Sequence, residues 1–203
     1  MLKTYRKQLF AVFYIGLFLL ICFICLCLFY LNKNDKNMNK AYNNDLKVSF
    51  HSSDVLTISN VLPLSDVLGK EMTEKEVKNG VQQILDFEIE NTLNKDVSFE
   101  ILLNPQTTMN ESIKENYIKF YLTDFDDVPF KKFAGSEIPT FHDLKTLVKR
   151  PKSRILYSGN IYAKSKNNYR LRMWLSDSYT ISNQLEDFSV SVEVHQKGNS
   201  YGK

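Results

Sequence analysis

Three carboxylates crowd into Thr123-Asp124-Phe125-Asp126-Asp127, the densest acidic spot in the chain. Hard oxygen ligands at that density suit Ca²⁺. The same spacing before Val128-Pro129 also suits an Asp-rich turn whose side chains cap their own backbone. The turn is the expected role, with no metal and no other cofactor; Asp124, Asp126 and Asp127 are the residues a calcium ion would use. The densest basic spot is Lys145, Lys149, Arg150, Lys152 and Arg154. It would attract an anionic cell-wall polymer such as teichoic acid, anionic lipid head groups or an acidic partner; the plainer reading is a solvated loop around Pro151. Trp174, the single tryptophan, falls on the face of its segment opposite Leu171, Met173 and Leu175. Exposed there, it is the candidate binding hot spot. Under a covering loop it serves packing.

Catalytic patterns are few. His51, His142 and His195 lie far apart, none in the paired spacing of a zinc site. The cysteines are Cys22, Cys25 and Cys27, all inside an apolar run, which leaves the rest of the chain without a thiol nucleophile or a disulfide. No Gly-x-Ser-x-Gly elbow, Walker loop or Gly-rich dinucleotide turn occurs. Ser200-Tyr201-Gly202-Lys203 matches Ser-x-x-Lys, but at a chain end, where ends fray. The expectation is a protein that is not an enzyme. A pocket gathering His142 or His195 with carboxylates would revive the enzyme reading.

The elements that must position these residues begin with Leu9 to Leu31, an uncharged apolar run of 23 residues. As a helix rising ~1.5 Å per residue it reaches roughly 34 Å, enough for a hydrocarbon core of about 30 Å. No small residue sits where a signal peptidase would cut after it, so the run reads as an uncleaved single-pass anchor in the cell membrane. Lys3, Arg6 and Lys7 precede it; Lys33, Lys36, Lys40 and Lys47 come after it, with Asp35 and Asp45. Basic residues near the two ends almost balance. The compact basic tail and the exported character of the C-terminal domain place the tail inside and that domain outside. Three of the 26 basic residues lie in the tail, so the remainder matches the 23 acidic residues. A neutral domain argues against a nucleic-acid surface. Heavy Asn and Lys usage, as in NKNDKNMNKAYNND, and a cysteine-free domain suit a Gram-positive bacterial envelope.

The chain divides into a basic tail at 1–8, the anchor at 9–31, a flexible tether at 32–45, a β-sandwich at 46–197 and a C-terminal tail at 198–203. Apolar and polar residues alternate through Leu85–Glu90, Val97–Leu103, Ile118–Leu122, Tyr169–Leu175 and Phe188–Val194. Period-two alternation marks strands with one buried face. Ile155 to Ala163 reads as a further strand kinked at Ser158-Gly159-Asn160, and Leu46–Phe50 and Val55–Ser59 as weaker ones. Asn91–Asp96 and Ser165–Asn168 are the turns. The fold class is therefore all-β: an N-terminal transmembrane helix and one antiparallel β-sandwich, Ig-like or jelly-roll-like, with one or two short helices. The helix candidates are Glu74 to Asn79, behind the capping-box pattern Thr73-Glu74-Lys75-Glu76, and Thr140 to Lys149, where Phe141, Leu144 and Val148 share a helical face. The expected core is Phe87, Ile89, Phe99, Ile101, Phe120, Leu171, Met173, Val190 and Val192.

Ile58 to Lys70, ISNVLPLSDVLGK, followed by Leu85 to Leu102, LDFEIENTLNKDVSFEIL, resembles exported Gram-positive surface proteins of the TasA/camelysin kind. The likeness spans 57–103, about a quarter of the chain. It implies a jelly-roll-like sandwich in a family whose members build matrix fibres by donating strands; the uncleaved anchor departs from that family. The expected role is a membrane-anchored extracytoplasmic β-sandwich that binds, adheres or assembles in the envelope without catalysis. Its partners would be the lipid bilayer through residues 9–31 and other envelope proteins or an anionic wall polymer, with no nucleic acid. The alternative is an accessory subunit of a secretion, conjugation or competence apparatus.

Overall fold

The computed structural model describes residues 39–42, 46–73, 83–106, 111–130, 138–181 and 186–197. The apolar run Leu9–Leu31, the helix candidate after Thr73 and the tail 198–203 lie outside the described residues. No helix among those described is long and apolar enough to cross a membrane.

Alternation does build the sheets. In β4 (Gln83–Asn91), Leu85, Phe87 and Ile89 turn inward while Asp86, Glu88 and Glu90 turn out. Its partner β10 (Lys166–Leu175) sets Tyr169 opposite Phe87, the rings stacked at 5.3 Å. On the outer face the same register sets Arg170 opposite Asp86, with which it pairs, while Lys166 reaches diagonally to Glu88. Such cross-strand pairs on both faces fix the register, because a one-residue slip would exchange every buried and solvated side chain. The first sheet runs in the order β1 (Asn39–Tyr42), β2 (Leu46–Phe50), β4, β10, β7 (Ile118–Thr123). The second runs β3 (Val55–Ser59), β11 (Glu186–Gln196), β5 (Val97–Pro105), β9 (Arg150–Ile161), β8 (Lys145–Leu147). All these pairs are antiparallel; β6 (Glu111–Ser112) lies parallel to β11. The core fills the space between the sheets, and all nine expected core residues are fully buried in it. The domain is an all-β sandwich.

One end of the sandwich holds the β4–β5 and β9–β10 connections, each crossing from one sheet to the other. Buried Asn91 ties them together: its Nδ2 donates to the carbonyls of Lys95 (2.8 Å), Ile161 (3.2 Å) and Tyr162 (3.0 Å), and its Oδ1 accepts from Leu93 N–H (2.9 Å). The Asx-rich turn expected at Asn91–Asp96 is present and wired across the two sheets; the one expected at Ser165–Asn168 is displaced, because Lys166–Asn168 already belong to β10 and the chain turns at Ala163–Lys164. The opposite end collects the last residues of β3, β5 and β10 and the first of β7, β9 and β11. It also carries the helix α1 (Asp66–Glu71), which the alternation pattern does not indicate. We refer to the two as the crossover end and the helix end.

Four further expectations change. Asn39–Tyr42, inside the stretch read as a tether, form β1 against β2. Thr140–Lys149 are not helical: Phe141 and Leu144 are buried but Val148 is 88% exposed, and Lys145–Leu147 pair with β9 as β8. The reason is local. Asp143 Oδ2 accepts from the Thr140 N–H and hydroxyl while Thr140 Oγ1 accepts from Asp143 N–H, closing a single turn. The chain then leaves extended, and Thr146 and Val148 are β-branched. Strand β9 runs through Gly159 without a break at that point, since the Tyr157 ring lies over it; a Cβ there would fall 2.5 Å from Tyr157 Cε1. The irregularity in this strand pair falls between Ile101 and Leu102 instead. Trp174 is fully buried, which removes it as an exposed binding residue.

Candidate functional site

Trp174 is covered by α1. Ser65 caps this helix, its Oγ accepting from Leu68 N–H at 3.4 Å, and Asp66 pairs with Lys119 of β7 at 2.7 Å. Those two contacts press Gly69 flat on the indole. A satellite cluster of Trp174, Tyr121 and Met72 forms beneath, flanked by Leu64, Ile84 and Ile138.

Below Trp174 on the same outer face stand Arg172 and Arg170, and the acidic segment folds over them. Buried Arg172 donates from Nε to Met72 O (3.1 Å), from Nη1 to Thr123 Oγ1 (3.3 Å) and from Nη2 to Asp127 Oδ1 (2.6 Å). Arg170 grips Asp86 through two bonds of 2.9 and 2.8 Å, with its guanidinium 5.6 Å from the Phe125 ring centre. Asp124 Oδ1 accepts from the N–H groups of Asp126 (2.9 Å) and Val128 (2.8 Å). Two of the three candidate calcium ligands thus spend an oxygen on backbone caps or on an arginine, while Asp126 is exposed. Among the described residues no group of three or more His, Cys, Asp or Glu is placed to hold a metal ion. The local backbone agrees with this use: Asp127 sits at φ 61°, a left-handed conformation that Asp tolerates.

The basic segment is the β8–β9 hairpin. Arg150 pairs with Glu193 at 2.8 Å, and Arg154 with Glu115 at 3.0 Å while lying 5.4 Å from the Phe141 ring centre. Lys145, Lys149 and Lys152 are exposed around the turn that carries Val148. The structure thus separates the five basic candidates into two arginines bonded to carboxylates and three lysines facing solvent. Glu193 also accepts from His195 (2.9 Å). That hydrogen bond, opposed by burial and aided by Arg150, holds the Glu193 carboxyl down to about 2. His195 is therefore held against the Glu193 carboxylate, His51 packs edge-on to Phe125 at 5.6 Å, and exposed His142 comes next to Phe141 in the chain. In the aromatic core, burial pushes the hydroxyls of Tyr157 and Tyr169 up, the latter against a hydrogen bond from Asn167.

The open concavity lies at the helix end. Val61, Leu62, Ile113, Leu175 and Ile181 line a pocket of about 230 Å³, with Tyr179 and Glu186 at its polar side, where the Tyr179 hydroxyl donates to Glu186 at 2.6 Å. It is smaller than the roughly 300–1,000 Å³ of small-molecule pockets, and Leu62 and Ile181 stand well out of it at 66% and 59% exposure. Sequence reasoning missed this site, because apolar residues in loops look the same whether they point in or out. No family model matches the chain, and no curated protein matches its sequence.

Proposed function

We propose that this chain is a membrane-anchored extracytoplasmic β-sandwich with a non-enzymatic role in binding or assembly at the bacterial envelope. The observation that carries the reading is the employment of the reactive side chains. Asp86, Asp124, Asp127, Glu115, Glu193 and His195 are each engaged with an arginine, a backbone amide or one another, and none of them lines the pocket. The pocket is lined mostly by apolar side chains and the β8–β9 hairpin carries exposed lysines, the composition of contact surfaces rather than of a reaction site. The sandwich is of the jelly-roll-like kind. Its β2–β3, β3–β4, β4–β5, β9–β10 and β10–β11 connections each pass from one sheet to the other, as in the double Greek keys that a resemblance of residues 57–103 to TasA/camelysin-like proteins would imply. The anchor rests on Leu9–Leu31. Cell fractionation tests it: the chain should remain in the membrane pellet through an alkaline carbonate wash at its full 23.7 kDa. A shortened, released product would contradict it.

A further inference from the structure

We propose that the helix end of the sandwich docks on an anionic lipid surface, that of the bilayer carrying the chain; this rests on the anchored reading. Large apolar side chains exposed on the domain are unevenly placed. Leu62, Val67, Leu68, Val148 and Ile181, each at least 56% exposed, belong to the loops, helix and hairpin of the helix end. Elsewhere among the described residues Tyr162, Val128 beyond the last residue of β7 and, at 36%, Val55 are exposed. Lysines accompany the apolar set. Lys145, Lys149 and Lys152 surround Val148, and Lys114 is exposed next to Ile113 of the pocket wall. Of the acids nearby, Asp66 and Glu115 pair with Lys119 and Arg154, Glu186 accepts from Tyr179 and Asp143 from Thr140, while Glu71 of α1 and Asp177 are exposed.

Apolar tips ringed by lysines are what an interface of acyl chains and anionic head groups attracts: the tips enter the boundary and the ammonium groups meet phosphates. A wall polymer would match the lysines and leave the apolar tips unexplained. Tethering to the same bilayer would raise the effective concentration of the lipid surface, so that weak contacts suffice to orient the domain.

The test uses the full chain with Cys22, Cys25 and Cys27 replaced by alanine, carrying a nitroxide at Val148→Cys or, at the other end, Tyr162→Cys. It is reconstituted in phosphatidylcholine vesicles with and without phosphatidylglycerol. The expected result is a nitroxide at 148 that, with phosphatidylglycerol, becomes accessible to lipid-soluble oxygen and shielded from an aqueous nickel chelate, while the label at 162 stays in water. Lys145→Glu, Lys149→Glu and Lys152→Glu together should abolish that shift. A label at 148 that stays in water while the chain floats with the vesicles overturns the docking and leaves the anchor standing. A label shielded from both reagents signals a protein partner or a second copy and overturns it equally. A chain that does not float overturns the anchored reading and the docking with it.

Discussion

Replacing Gly69 by alanine should destabilise this protein, although helix propensity alone says the reverse. In an exposed helix the change gains about 0.8–1 kcal/mol. Here the new Cβ would lie 2.3 Å from Cε2 and 2.4 Å from Cδ2 of Trp174, more than 1 Å inside ordinary contact. The indole cannot yield cheaply, because it is held between the sheet and α1 with Met72 and Tyr121 packed at its sides. Overpacking of this kind costs about 1–3 kcal/mol. The helix is fastened at Asp66–Lys119, so the upper part of that range applies and the net loss is about 1–2 kcal/mol. For a chain of this size that lowers the melting temperature by roughly 2–8 °C. Thermal melts by circular dichroism measure it, and fluorescence from the single tryptophan reports the same site. Trimming the indole by Trp174→Phe should reverse the sign, so that Gly69→Ala becomes neutral or stabilising in that background. A stabilising Gly69→Ala in the original chain, with unchanged emission, would refute the packing of α1 on β10.

Two further outcomes concern the charged groups. Asp127→Ala strips Arg172 of its carboxylate in a buried setting and should cost about 1–3 kcal/mol by urea denaturation, the value tempered by the exposure of Asp127 itself; Asp126→Ala should stay within about 0.5 kcal/mol. Equal losses would show that the acidic loop does not clamp the arginines. The Glu193 carboxyl, ordinarily near 4.5, is held near 2 in the fold, chiefly by His195. Its contribution is therefore complete above about pH 4.5 and disappears as the pH falls through 2. Glu193→Gln should lower the melting temperature at pH 6 and cease to matter near pH 2; a pH-independent difference would mean that the ion pair is not the cause.

The sandwich was legible in the sequence because its main strands each bury one face. Phe87, Phe99, Phe120 and Val190 could be assigned inward from period two alone. The alternation falls short where both faces are covered. From Leu171 to Leu175 every residue of β10 is buried, since α1 closes the outer side, and so the alternation alone could not tell whether Trp174 is exposed or covered. α1 itself spans six residues with a glycine among them, too short to show a period, although Ser65 before Asp66 was an available capping signal. β1 has no apolar pattern in Asn39–Tyr42; backbone pairing to β2 makes it a strand. Thr140–Lys149 mimicked a helix because Phe141, Leu144 and Val148 share a helical spacing that a turn followed by a hairpin produces equally well. The lysine hairpin was visible as a composition. The helix-end pocket was not, because it joins Val61, Ile113 and Ile181, which lie far apart in the chain.

The central claim is an anchored domain facing outward, and a single cysteine decides it most directly. Asn34→Cys places a thiol between the apolar run and β1, while Cys22, Cys25 and Cys27 lie within the run. A membrane-impermeant maleimide applied to intact cells should label it. Labelling only after permeabilisation would put the sandwich in the cytoplasm and contradict the proposed role.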